Sequence, residues 1–386
     1  MAYLRNKLAE WIPALLAALL FAALLAPRRA AIPVQTWTYE GICRELVAGT
    51  TEGRQALVGS LWHAPLPTLA GLPAAALLPR GAATPLVSRV TVLAALAYLF
   101  WVLLRFCRRL FPPVTGHGCW LACLLLMARH PGLAVEPQQA VTLAAATVTL
   151  LKLADWCETR RLADLVKFAF ALALLALCGA PLAGLALLLA LLLPAVAILE
   201  PNVRLRFQGI LILGLLPAIY ALGIWALMSR LILSDAFYAW RFLIHGLARW
   251  HGWPADALQL HHTAALACCG LLGVLAAAHH ALRAALLCLA GVALGAWMVV
   301  LHGFGFAWAA GTASMLLALT ALLALIAALQ AFRARHPTLA RFGAALCTLV
   351  LLSVWARDPL PVSVRPDTQN RQAQRTRELA RDEFGD

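Results

Sequence analysis

The sequence predicts an all-α integral membrane protein, a polytopic bundle of about eleven transmembrane helices if each span takes about 20 apolar residues. Three observations predict it. Only 12% of the 386 residues are charged, against roughly 25% in soluble domains. Hydrophobic residues make up 63% of the chain and fall in long uninterrupted runs. The arginines cluster at the ends of those runs, as loop anchors and lipid-headgroup contacts do. That placement also disposes of nucleic acid as a partner. The net charge of +14 is spread over run ends and forms no basic stripe.

The elements follow in order. Arg5 and Lys7 precede an apolar run over 11–26, which resembles a secretory signal. No small-residue cleavage site follows, only Pro27-Arg28-Arg29, so the expectation is a retained first span near 10–26. Further spans are expected near 89–107, 116–129, 139–157, 164–180, 182–199, 209–232, 263–279, 283–301, 305–331 and 340–356. The stretch 66–78 is short and broken by Pro67 and Pro73, which predicts a helix lying at the interface. Residues 1–356 therefore read as one transmembrane domain. Its long loops are 27–88 and 233–262, and 357–386 is a polar tail. Cations such as Arg105, Arg108, Arg109, Lys152, Arg160, Arg161 and Lys167 gather on one side in the short loops. The positive-inside rule then places the N-terminus in the cytoplasm and the tail outside. Arg28 and Arg29 break this pattern.

The first outer loop concentrates polar chemistry. It contains Trp37-Thr38-Tyr39-Glu40-Gly41-Ile42-Cys43-Arg44, then Trp62-His63-Ala64-Pro65-Leu66, then Arg89. If 39–48 is helical, Arg44 lies one turn beyond Glu40 and pairs with it. As an exposed i,i+4 pair this contributes only ~0.3–0.5 kcal/mol, so an interfacial ion pair is the plain reading beside a functional one. Glu136 opens a span, where a carboxylate either joins a site or offsets the helix dipole. Each outer arginine (Arg44, Arg89, Arg129, Arg241, Arg249) is a snorkelling anchor unless a ligand claims it. Cys43 is the one cysteine in this loop, and Cys119 and Cys123 have helical i,i+4 spacing. No second pair completes a metal site. A divalent metal between Glu40 and the outer histidines is an option that no repeated ligand spacing supports.

Residues 10–245 resemble, by pattern, the GT-C superfamily of membrane glycosyltransferases. The likeness is to the branch of protein O-mannosyltransferases and the aminoarabinose transferase of lipid A (glycosyltransferase family 39-like). The motifs that carry it are Tyr39-Glu40-Gly41, Leu46-Val47-Ala48-Gly49, His63-Ala64-Pro65-Leu66, Val87-Ser88-Arg89, Ala128-Arg129-His130-Pro131 and Val135-Glu136-Pro137. Leu216-Pro217-Ala218-Ile219-Tyr220, Gly223-Ile224-Trp225-Ala226 and Asp235-Ala236-Phe237-Tyr238 extend it. The chain departs from the family in three ways. The acidic pair is reduced to Tyr39-Glu40, Ala64 stands for the first proline of a Pro-Pro-Leu-like motif, and no sizeable soluble C-terminal domain is present.

The resemblance implies transfer of a sugar from a polyprenyl-phosphate donor to an acceptor glycan, lipid or protein. The reaction is expected on the outer face of a bacterial inner membrane. A carboxylate near the acceptor takes its proton, and burial makes a carboxylate a stronger base. Glu40 is the expected base and Glu136 the assisting acid. Arg44, Arg89, Arg129, Arg241 and Arg249 are the expected phosphate ligands, since the planar guanidinium can hold two phosphate oxygens. Tyr39, His63, Pro65 and Tyr238 are the expected pocket residues. Two rivals stand beside this reading. A transporter or lipid flippase needs ionisable residues near mid-membrane, and the span centres are almost bare of them. A non-catalytic scaffold related to such enzymes is the other.

Overall fold

The computed structural model describes residues 2–25, 34–59, 64–79, 85–128, 131–194, 207–238, 240–241, 265–267, 269–274, 282–303 and 307–333. The helices are α1 Ala2–Leu25, α2 Val34–Ala48, α3 Thr51–Gly59, α4 Pro65–Leu77, α5 Leu86–Leu110, α6 Pro113–Ala128, α7 Pro137–Thr159, α8 Leu162–Ala176, α9 Ala180–Ala190, α10 Phe207–Leu233, α11 Leu282–Gly303 and α12 Ala307–Arg333. A 3-10 turn, Pro131–Ala134, precedes α7. No strand occurs among the described residues. Every expected span up to residue 331 meets a described helix, and the expected span 340–356 and the tail lie outside the described residues.

Among the described residues four segments are long and apolar enough to cross a membrane: Leu86–Leu110, Pro137–Thr159, Gln208–Leu233 and Ala284–Leu301. The chain is therefore an all-helical membrane protein, and the expected count of about eleven spans is not established by these segments. Several of the expected spans form shorter helices. The 16 residues of α6 reach about 24 Å at the helical rise, less than the ~30 Å hydrocarbon core. Proline sets such limits. Pro113 opens α6, and Pro137 occupies the first turn of α7, where its missing N–H costs nothing.

Polar ties give the bundle its directions. Arg109 near the end of α5 donates to Asp155 near the end of α7 at 2.7 Å, so α5 and α7 run the same way. Arg160 ends α7 in a left-handed conformation (φ 54°), and α8 returns antiparallel. At the far end of α8, the Leu177 carbonyl accepts the Leu66 N–H at 3.0 Å. Helix α10 packs on α8, and near its own end Trp225 Nε1 donates to the Val58 carbonyl of α3 at 3.2 Å. Helices α2, α3 and α4 thus lie across one end of the bundle. The opposite end carries Arg105, Arg108, Arg109, Lys152, Arg160, Arg161 and Lys167.

The core is the seam of α5, α7 and α8, where Leu96, Phe100, Leu103, Leu143, Leu150, Leu153, Leu165 and Phe168 are fully buried. Trp120 Nε1 fastens α6 to α5 through the Phe100 carbonyl at 2.9 Å. The other face of α10 exposes Ile212, Ile219, Ile224, Leu227 and Leu231. Such a face is stable in lipid and not in water. Single cysteines at the exposed positions Glu52 and Arg161 are expected to react with a membrane-impermeant maleimide from opposite sides. Labelling of both from one side would overturn the arrangement.

Candidate functional site

The site is built on α2. Its Tyr39 and Cys43 share one face and its Glu40 and Arg44 the next, each pair at i,i+4. The helix stops at Gly49, which adopts φ 74°, a conformation open to a residue without Cβ. Gly49 N–H bonds to the Leu46 carbonyl and Thr50 N–H to the Glu45 carbonyl, both at 3.1 Å. Thr50 then caps α3 by accepting the Gly53 N–H at 3.2 Å, and its hydroxyl donates to Glu45 Oε2 at 2.7 Å.

Helix α4 closes over this surface. The Tyr39 hydroxyl donates to the Pro67 carbonyl at 2.7 Å, and Cys43 Sγ approaches the Thr68 carbonyl at 3.6 Å. The helices meet at Gly71. A Cβ there would collide with the Tyr39 hydroxyl and stand 2.8 Å from Cys43 Sγ. Burial and the neighbouring Cys43 drive the Tyr39 phenol well above its ordinary range. Burial likewise pushes the Cys43 thiol up to about 12, so it is a packed thiol and no nucleophile.

Glu40 is 7% exposed. Arg44 donates to its Oε1 twice, from Nη2 at 2.7 Å and from Nε at 3.1 Å. Arg44 Nη2 also donates to the Pro79 carbonyl at 2.9 Å, and Nη1 to the Leu78 carbonyl at 3.4 Å. Both carbonyls lie just past the end of α4, where helix carbonyls lack partners and a cation is favoured. The other carboxylate oxygen, Glu40 Oε2, is buried and has no partner. The spacing-based reading of an i,i+4 pair holds, but the pair is desolvated and tied to a second helix.

Glu136 sits at the N-cap of α7, hence at the same end of the bundle. It makes no capping bond to its own helix. Instead its Oε2 accepts from Gln139 Nε2 at 2.6 Å. Burial raises its carboxyl from an ordinary 4.5 to about 7, with the Gln139 bond opposing. Nearby on α7, Gln138 Nε2 is buried without a hydrogen-bond partner, and the buried Thr142 hydroxyl stands beside the Cys178 thiol. Gln138 and Thr142 are one turn apart on one face.

The other expected site residues are dispersed. Pro65 is buried at the first turn of α4. Arg89 is exposed in the first turn of α5. Arg241 pairs with Asp235 at 3.2 Å, and Tyr238 is half-buried beside that segment. His63, Arg129 and Arg249 lie outside the described residues. The described part of the second long loop does meet the first, since Trp240 and Trp225 pack on Val58. Among the described residues no three His, Cys, Asp or Glu side chains are grouped to hold a metal ion. Sequence reasoning missed Gly71, Gln138, Thr142 and the α4 carbonyls. The carbonyls have no sequence signature, and the others read as ordinary helix residues.

Three outcomes follow from this geometry. Gly71→Ala is expected to destabilise by about 1–3 kcal/mol through overpacking, and to make Cys43 reactive to maleimide. Arg44→Met leaves a buried carboxylate unpaired and is expected to cost about 3–5 kcal/mol, most of it recovered when Glu40 is also made Met. Thermal denaturation in detergent reads both. For Glu136 the folded protein binds the proton more tightly than the unfolded chain. Its contribution is therefore fully present below about pH 4.5 and lost as pH rises through about 7. Glu136→Gln is expected to remove that part of the stability–pH slope, and an unchanged slope would refute it.

Compared with known proteins, the chain matches no protein-family model, no curated sequence and no solved structure.

Proposed function

We propose that the chain is a membrane glycosyltransferase of GT-C type, moving a sugar from a polyprenyl-phosphate donor to an acceptor hydroxyl at the outer face. The observation that carries the reading is Glu40. A carboxylate more than nine-tenths buried, gripped by an arginine through one oxygen and unpartnered at the other, is arranged for a proton-donating group to meet Oε2. Transfer to a hydroxyl needs such a base. As the acceptor oxygen attacks the anomeric carbon, the bond to the phosphate oxygen breaks and the hydroxyl proton passes to Oε2. Glu136, with its carboxyl near 7, can hold or release a proton at neutral pH. The unpartnered Gln138 amide is a group that a sugar hydroxyl satisfies. Helix α4 covers Glu40 in this arrangement, so the reaction requires α4 to shift when the acceptor binds.

The test is sugar transfer from a panel of polyprenyl-phosphate sugars in reconstituted membranes. Glu40→Gln keeps the shape and cannot take a proton. Turnover is expected to fall by about 10²–10⁴-fold, the order for loss of a positioned base, while retention of the donor lipid changes little. A fully active Glu40→Gln protein sinks the assignment.

A further inference from the structure

The end of the bundle opposite α2–α4 carries a second organised surface, and it lies on one face of α5. Tyr98, Trp101, Arg105 and Arg108 follow at intervals of three, four and three residues, which places them on one side of a helix. Trp11 of α1 stacks on Trp101 with ring centroids 4.7 Å apart and planes 10° from parallel. Tyr98 stands 6.0 Å from Trp101 and 6.4 Å from Trp11. The Arg105 guanidinium lies over the Trp101 ring at 5.6 Å, so its long side chain has a fixed direction.

The charges at this end are not evenly matched. Asp155 takes Arg109 at 2.7 Å and Lys152 at 3.2 Å. Glu158 also faces Arg109, at 3.8 Å, and Asp164 takes Lys167 at 2.8 Å. The carboxylates are thus engaged with other cations, and Arg105 has no carboxylate partner among the described residues. The Trp101 indole N–H is buried with no acceptor. This stripe therefore lacks one negative charge and one hydrogen-bond acceptor. Toward the middle of α5 the same face exposes Ala94 and Val90. Ten residues of helix below Arg105 cover about 15 Å, half of the ~30 Å hydrocarbon core. A cation, then an aromatic shelf, then an apolar strip matches a lipid in order: headgroup, glycerol region and acyl chain.

We propose that this face of α5, with Trp11, seats one anionic phospholipid, its phosphodiester on Arg105. The inference stands independently of the transferase reading. A zwitterionic lipid offers the same phosphodiester together with a quaternary cation that the Arg105 guanidinium, fixed over Trp101, repels at close range, so the seat selects for net negative charge.

The experiment is native mass spectrometry of the detergent-purified protein with added phosphatidylglycerol or phosphatidylcholine of matched chains. Wild type is expected to retain phosphatidylglycerol about tenfold better, because only phosphatidylcholine brings a second cation against Arg105. Arg105→Gln is expected to abolish the preference and Arg105→Lys to keep part of it. Arg161→Gln, an exposed cation at the same end, is expected to leave it intact. Equal retention of the two lipids by wild type overturns the seat. So does a preference that survives Arg105→Gln, or one lost equally in Arg161→Gln, which would mean diffuse surface charge. Arg105 is exposed, so these variants do not threaten folding.

Discussion

Burial of the Glu40 carboxylate is the constraint on which the α2–α4 end depends. A charge taken out of water needs a partner of opposite sign and bonds for its remaining valences. Arg44 supplies the first. Arg44 must then be satisfied in turn, and the Leu78 and Pro79 carbonyls do this from beyond α4. Helix α4 is held in its first turn by the Leu66–Leu177 bond to the end of α8 and by the Tyr39 hydroxyl on the Pro67 carbonyl. One desolvated ion pair therefore ties α2 to the end of α4. Buried pairs of this kind add little net stability compared with a packed apolar substitute. What the pair provides here is a single register between α2 and α4, and one carboxylate oxygen left over.

The two ends of the bundle solve charge differently. At the α2–α4 end a carboxylate oxygen and an amide are buried and unsatisfied, Glu40 Oε2 and Gln138 Nε2, while toward the other end the Trp101 indole N–H is such a group. Native proteins leave few such atoms, and each calls for a bound water, ion or ligand. At the other end Arg109, Lys152 and Lys167 pair with carboxylates in half-exposed positions, and Arg105 is held by an aromatic ring. That end has the character of an anchor. The contrast agrees with a polar site on one side of a membrane and headgroup contacts on the other.

Much of the fold was legible because apolar run length and helical spacing are local properties. The expected span 139–157 falls within α7 and 89–107 within α5, and the helix at 39–48 with its Glu40–Arg44 pair follows from i,i+4 spacing. The interfacial stretch 66–78 is a helix, though Pro65 begins it one residue earlier. Burial was not legible in the same way. Glu40 and Arg44 read as an exposed pair, because nothing in their own segment reports that α4 covers them. Gly71 permits that cover, and its role appears only when Tyr39 and Cys43 are placed opposite it. Cys43, which looks like an accessible loop cysteine, is fully buried for the same reason. The number of spans is not established by the described helices, because a run of apolar residues fixes hydrophobicity but not where proline ends the helix.

The geometry of Arg44 also narrows the chemistry of the proposed transfer. A guanidinium has five N–H donors. Two go to Glu40 and two to the α4 carbonyls, which leaves one. A forked grip on a phosphate needs two parallel donors. Arg44 can serve Glu40 or a phosphate, and serving the phosphate would strip both the carboxylate and the end of α4 of their partner. In the proposed reaction the task of Arg44 is then to hold Glu40 through Oε1 and leave the buried Oε2 without a partner, and the donor phosphate needs other cations. In that proposal the candidate is Arg89, exposed in the first turn of α5. Arg241 is less suited while Asp235 engages it. A base held by one arginine and a phosphate held by others keeps the two charges of the reaction on separate ligands, so the base is not neutralised as the donor binds.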